Sequence, residues 1–194
     1  GEINFYFQVW ATTDSVTEKK STKSEISSSE ILSDEVKSNS YISHTIENFR
    51  DESTPNGIDI RNTDVYFVIR NCTIHDAKNN YKAGIYFYNV TNGMVKNCTI
   101  YNNDDGISLW DSSNNNINAN HIYNNDWGIY LDCSSNNNIT NCSIYNNEYD
   151  GIHLTLYSSN NNISANHIYN NSEDGISLDV SPDTRLRNNV LNNN

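Results

Sequence analysis

The most regular part of this sequence has no positive charge: from Asn97 through Asp183 there is not one Lys or Arg. That absence removes the basic residue a polysaccharide lyase sets beside its cation cluster. With a formal charge of −12 and a pI near 4.6, it also argues against nucleic acid as a partner. No apolar run is long enough to span a bilayer and no basic-then-apolar leader opens the chain, so membrane insertion is not expected. A single Met and five scattered His offer no copper site. His121 and His167 take equivalent positions two coils apart, about 10 Å by strand spacing and too far to share a metal. In the repeated stretch apolar residues never recur at three and four positions over two turns, which excludes helix there.

What is present is one short phrase written repeatedly. Gly57-Ile58-Asp59-Ile60 returns as Gly84-Ile85-Tyr86-Phe87, Gly106-Ile107-Ser108-Leu109, Gly128-Ile129-Tyr130-Leu131, Gly151-Ile152-His153-Leu154 and Gly175-Ile176-Ser177-Leu178, at spacings of 27, 22, 22, 23 and 24 residues. A period in the twenties marks a solenoid. A 36% apolar fraction and high negative charge would alone hint at disorder, but a solenoid core is narrow and needs few inward residues per coil.

Between the Gly-Ile marks lie apolar alternations of two to four residues, cut apart by Asn, Gly, Ser and Asp, which fit short strands joined by turns. If each repeat is one coil of a parallel β-helix, equivalent residues stack about 4.8 Å apart. Ile107, Ile129, Ile152 and Ile176 then form one buried file, and Leu109, Leu131, Leu154 and Leu178 a second. Ile100, Ile122, Ile144 and Ile168 make a third, and Val95, Ile117, Ile139, Ile163 and Leu186 a fourth. One coil cannot bury its own apolar face, whereas a stack can. Asn120 and Asn166, with Cys72, Cys98 and Cys142, share one inward position at a bend, where stacked amides hydrogen-bond between coils. A Cys72–Cys98 disulfide is geometrically near but tight, and free buried thiols are the plainer reading.

Residues 41–194, with Val65-Tyr66-Phe67-Val68-Ile69-Arg70-Asn71-Cys72-Thr73-Ile74 and the recurring Tyr-Asn-Asn-Xaa-Xaa-Gly-Ile phrase, resemble the right-handed parallel β-helix repeats of the NosD-like family. The resemblance implies an all-β right-handed parallel β-helix of about six coils. It also implies the setting of such repeats, surface proteins of archaea and bacteria and carbohydrate-active enzymes, hence an extracellular or cell-surface location. It is nearly silent on activity.

Ahead of the repeats, residues 1–10 alternate Ile3, Phe5, Phe7 and Val9 with polar or amphipathic neighbours, a strong strand signal. Residues 11–40 are a polar linker with no Gly or Pro. Within it Ser24–Val36 reads as a short capping helix on Ile26, Ile31, Leu32 and Val36, or as an extended tether. Ile42, Ile46 and Phe49 are inward candidates of an imperfect first coil.

The apolar N-terminal strand and the last coil suit each other. Our reading is a structural protein that self-assembles head to tail into a filament or surface array. Ile3, Phe5, Phe7 and Val9 are the donor, and Ile176, Leu178, Leu186 and Leu191 the acceptor, in a neighbouring copy. Packing of residues 1–10 on their own molecule is the alternative.

Other features point to chemistry. His75, Tyr101, Tyr123, Tyr145 and Tyr169 stand outward as an aromatic ladder, which stabilises a sheet or offers a glycan platform. Asp104, Asp105, Asp126, Asp150 and Asp174 gather before the Gly-Ile phrase. They read as a solvated acidic rim, with calcium as the one cofactor such carboxylates would take. Asn71, Asn89, Asn97, Asn138, Asn141, Asn162 and Asn170 head glycosylation sequons. Polygalacturonase-like enzymes set an Asp pair one coil from Asn-Thr-Asp and add Gly-His-Gly. Here Asn62-Thr63-Asp64 lies 40 residues before Asp104-Asp105, and His153 lacks flanking glycines. With the missing Lys and Arg, this leads to the expectation that the chain is not an enzyme. A glycan-binding surface module is the second reading, and a polysaccharide lyase or epimerase the third.

Overall fold

The short alternations between turns become short strands because each turn residue can enter a conformation that ends them. The computed structural model describes residues 56–78 and 82–194, together with the strands Gln8–Ala11, Thr22–Ser24, His44–Glu47 and Arg50–Asp51. Three parallel sheets run the length of the stack. The first holds Ile58–Thr63, Ala83–Val90, Asp105–Trp110, Trp127–Asp132, Ile152–Thr155 and Ile176–Leu178. The second runs from His44–Glu47 to Arg185–Arg187, and the third from Arg50–Asp51 to Val190–Asn192. The fold is thus an all-β right-handed parallel β-helix of about six coils.

Registers follow the files read from the repeat. Ile107 pairs with Ile85 and Ile129, Ile122 with Ile100 and Ile144, and Ile117 with Val95 and Ile139. Before the last coil the Ile and Leu of these files are buried in one continuous core, in which Phe67 packs edge-on against Phe87 at 5.4 Å toward the first coils.

The bends have two tiers. On the outside sit residues at positive φ, most of them Asn, including Asn97, Asn102, Asn114, Asn124, Asn141, Asn146 and Asn170, and no described glycine is among them. Asn tolerates the left-handed region because its short amide bonds locally. On the inside run side-chain ladders. Asn103, Asn125, Asn147, Asn171 and Asn194 form one: from Asn125 on, each Oδ1 accepts from both the backbone N–H and the Nδ2 of its counterpart in the coil before, at 2.7–3.2 Å, while Asn103 Oδ1 accepts from the Ala77 N–H at 3.0 Å. Asn115, Asn137 and Asn161 form another, and Ser112, Ser134 and Ser158 a third. At the mixed position the Cys98 and Cys142 N–H groups donate to Asn120 and Asn166 Oδ1, both at 2.9 Å. Among the described residues no disulfide forms: Cys72, Cys98 and Cys142 are buried thiols and Cys133 is exposed.

The repeated glycine answers a close approach. A Cβ on Gly128 would strike the carbonyl oxygen of Gly151 in the next coil and the Ile144 Cγ2 at 2.7 Å. The chain therefore turns flush against its neighbour at the start of each first-sheet strand from Ala83–Val90 to Ile176–Leu178.

At the front of the first sheet the strand Gln8–Ala11 pairs antiparallel with Ile58–Thr63 of its own chain, and Thr22–Ser24 pairs with it in turn. Part of the stretch expected to be donated, and part of the expected linker, thus forms an antiparallel edge in the same molecule. Ile3, Phe5 and Phe7, the capping helix beyond Ser24, and Ile42 and Phe49 lie outside the described residues.

Replacing Asn125 by Ala removes the acceptor of two buried donors on Asn103, so a loss of roughly 2–4 kcal/mol in urea unfolding is expected. Asn118→Ala, which removes partly exposed bonds to Thr140, should cost under about 1 kcal/mol.

Candidate functional site

Every Gly-Ile-Xaa-Leu phrase before the last coil buries its Ile and its Leu, Phe or second Ile, and turns Xaa outward. Pairing stacks those outward residues as Asp59, Tyr86, Ser108, Tyr130, His153 and Ser177 on the face of the first sheet. Beside them runs Arg61, Tyr88, Trp110, Asp132 and Thr155. The position before the glycine supplies Asp105, Trp127 and Asp150, in register. Each of these reaches round to the outward residue three places on. The Ser108 hydroxyl donates to the Asp105 carboxylate, the Trp127 ring lies 5.7 Å from Tyr130, and His153 Nδ1 meets Asp150 Oδ2 at 2.7 Å.

The result is an aromatic cradle over the middle coils. Trp127 packs against Tyr149 at 4.6 Å, Trp110 lies 6.0 Å from Tyr130, and Tyr130 stacks parallel on His153 at 5.5 Å. Trp110 keeps 39% of its surface exposed while covering Ser108, which retains 1% although it points outward. The Trp110 Nε1–H donates to Ser108 Oγ at 3.2 Å, completing a relay from indole to hydroxyl to Asp105.

The titrating groups in this cradle differ in character. Burial lifts the Asp105 carboxyl to about 7, with Asp104 and Asp126 adding repulsion and the Ser108 hydrogen bond opposing the rise. Burial, with Asp132 and Asp105 nearby, pushes the Tyr130 phenol to about 12. Asp150 is held by two bonds, His153 on one oxygen and the Asp174 N–H on the other at 2.8 Å. In the neutral imidazole with Nδ1 donating to Asp150, the His153 Nε2 is an acceptor. Asp105 and Asp150 sit two coils apart, about 10 Å by strand spacing, with Trp127 between them. A proton donor near neutrality and a proton acceptor thus flank one aromatic floor.

Among the residues expected to matter, Asp105 and Asp150 enter this site. Asp104 instead accepts from the Lys82 N–H at 3.0 Å, Asp126 is half-buried with its carboxyl raised chiefly by burial, and Asp174 is exposed. Among the described residues no three carboxylate, imidazole or thiol groups converge to hold a metal.

The aromatic ladder forms on the third sheet, but its rings lie on one another. Centroids are 4.8 Å from His75 to Tyr101, 5.1 Å to Tyr123, 5.0 Å to Tyr145 and 4.8 Å to Tyr169. Each interior ring spends both faces on its neighbours and shows solvent an edge, so the ladder lacks the open faces a sugar would stack on. An open groove of about 410 Å³ beside it, lined by Lys78, Asn124, Asp126, Asn146, Glu148 and Ser172 among others, contains no aromatic ring.

In the last coil Leu178, Leu186 and Leu191 are 42–49% exposed, while Ile176 packs on the core. Of the sequon residues, Asn71, Asn97, Asn141 and Asn170 lie exposed on positive-φ turns, and Asn89 donates to Asn62 at 3.0 Å. Asn138 and Asn162 bond each other at 2.6 Å within the second sheet.

The raised Asp105 carries a sign for stability. Its folded pKa of about 7 exceeds the ordinary 3.8, so between those values the folded state holds a proton the unfolded state has released. Its contribution is favourable below about pH 4, falls as pH rises to 7 and is level above that. Asp105→Asn should flatten this slope and raise stability at pH 7.5, by an amount on the order of 4 kcal/mol at most. Thermal unfolding between pH 4 and 8 measures it.

Comparison with known proteins agrees with the architecture. The profile described as right handed beta helix region matches residues 8–155 and 126–194. A double mutant of the periplasmic alginate epimerase AlgG superposes with a TM-score of 0.60 at 24% identity, over 75% of this chain and 33% of that one. The A-module of the Azotobacter vinelandii mannuronan C-5 epimerase AlgE4 gives 0.58 at 20% identity, over 75% and 41%. AlgG itself gives 0.58 at 17%, over 69% and 42%. The chain therefore spans about a third to two-fifths of the length of these proteins. No functionally curated protein matches the sequence. Likeness at such identity speaks for fold, yet these neighbours are enzymes, and the expectation of a non-enzymatic chain is corrected accordingly. The missing Lys and Arg exclude one catalytic arrangement, a basic residue beside a cation cluster, and not catalysis on this scaffold. The chain belongs to the right-handed beta helix family.

Proposed function

We propose that this chain is a carbohydrate-active β-helix module that binds a glycan across the first-sheet face and acts on a glycosidic bond there. The observation that carries the reading is the meeting of stacking surface and proton-transfer groups. Trp110, Trp127, Tyr130 and Tyr149 cluster beside Asp105 and the Asp150–His153 pair, while the third-sheet rings cover one another. The apolar ring faces match the C–H faces of pyranose rings, and hydroxyls reach the polar groups between them.

In this reading the protonated Asp105 delivers its proton to the departing glycosidic oxygen. His153 Nε2, oriented by Asp150, takes a proton from the attacking water, which adds to the anomeric carbon as the glycosidic bond breaks. The separation of about 10 Å between the two sides is of the order that leaves room for water, as in inverting hydrolysis. Glycan-acting chains of this architecture include a periplasmic one by name, and an extracellular or surface location is part of the proposal. Within the family, the Tyr-Asn-Asn-Xaa-Xaa-Gly-Ile phrase is the ground for placing the chain with the NosD-like repeats.

Titrating an oligosaccharide panel against Trp fluorescence tests the face. Trp127→Ala should weaken binding about five- to thirtyfold, the loss of one stacking contact of roughly 1–2 kcal/mol. Tyr145→Ala, on the ladder, should leave binding unchanged. Asp105→Asn should retain binding and remove release of reducing ends. Equal effects of Trp127→Ala and Tyr145→Ala would move the site off this face.

A further inference from the structure

We infer that this face selects chains of uncharged sugars and turns away polyuronates, a choice that rests on the glycan reading above and narrows it. The structural neighbours are named for alginate and mannuronan, polymers whose every sugar carries a carboxylate. A carboxylate substrate needs donors or cations to receive it. The polar groups around this cradle are of the other kind.

Asp132 and Asp150 are acceptors, and the neutral form of His153 with Nδ1–H on Asp150 offers Nε2 as a further one. Trp110 has an indole N–H, but it is already given to Ser108, whose hydroxyl is given to Asp105. Tyr130 keeps its phenol proton to about pH 12 and supplies a neutral donor. No Lys or Arg occurs between Asn97 and Asp183.

Among the described residues the basic side chains nearest this face lie toward its front, outside the Trp127–Tyr130 centre; Lys82 is one of them, its backbone N–H donating to Asp104 at 3.0 Å and its carbonyl accepting from the Asp105 N–H at 3.1 Å. Arg61, at the front of the same face, bonds both oxygens of Asp59 at 2.8 and 3.1 Å and lies over the Tyr86 ring at 4.9 Å. Lys78 faces Asp126 on the bend that leads into the third-sheet groove.

Sugar hydroxyls, by contrast, donate. A neutral pyranose laid on Trp127 and Tyr130 presents hydroxyl protons to the acceptors at the cradle's edge. Replacing its hydroxymethyl by a carboxylate would bring a second negative charge to groups already negative, in a site partly shielded from water by indole rings.

Matched pairs of oligosaccharides that differ only in that group provide the test: manno-, gluco- and galacto-oligosaccharides against the corresponding uronates, titrated by Trp fluorescence on the full chain. At least one neutral member should bind tenfold or more tightly than its uronate at about 20 mM salt. The ratio should shrink at about 500 mM as the repulsion is screened. Asp132→Asn, which keeps the residue's size while removing a charge, should shrink it as well. A uronate that binds as tightly as its neutral partner at low salt overturns the charge selection and leaves the glycan reading standing. If no oligosaccharide of either kind changes the fluorescence, the glycan reading itself fails.

Discussion

The structure depends on a hydrogen bond handed from coil to coil at each bend. A solenoid exposes backbone N–H groups wherever it turns, since the turning residues leave the strand ladders. Asn125, Asn147, Asn171 and Asn194 meet this need in one stroke, each Oδ1 serving a backbone and a side-chain donor of the coil before. The stacked Ile and Leu supply the burial, but the amides determine that coils meet in one register. A slip of one residue would point Ile outward and bring an acceptor opposite nothing.

Much of this could be read from the residues. The Gly-Ile phrase gave the period, the period gave the files, and the inward Asn120 and Asn166 position with its Cys substitutes was visible as a repeated slot. The double use of Asn was not. Asn102 and Asn103 are neighbours of one type, yet Asn102 sits outside at φ 57° and Asn103 is fully buried in the ladder. Composition cannot separate those roles, because one demands backbone tolerance and the other an amide's two-sided bonding. The glycine was legible as a mark but not as a contact, since only the stacked coils show what a Cβ would strike.

The candidate site was half legible. Asp105 and Asp150 stood out as carboxylates before the glycine, but were grouped by sequence with Asp104 and Asp126, from which one position of register divides them. The variable Xaa of an otherwise constant phrase was the overlooked signal. Where Ile and Leu are held by the core, the residue between them is free to differ, and Ser108, Tyr130 and His153 differ on three adjacent coils. Conversely, the third-sheet tyrosines drew notice through their regularity. That regularity stacks them face to face at about 5 Å and closes the faces a ligand would use. On such a surface uniform rows strengthen the rod, and the irregular row carries the chemistry.

The amide ladders also bear on how such a chain changes length. Each inner coil presents the same donors below and the same acceptors above, so a whole coil can be duplicated or lost with both junctions intact, while a fraction of one cannot. The distance from the first-sheet cradle to whatever adjoins either end is therefore adjustable in steps of one strand spacing, about 4.8 Å. Each step leaves the site itself untouched: the scaffold is a ruler whose divisions are single coils.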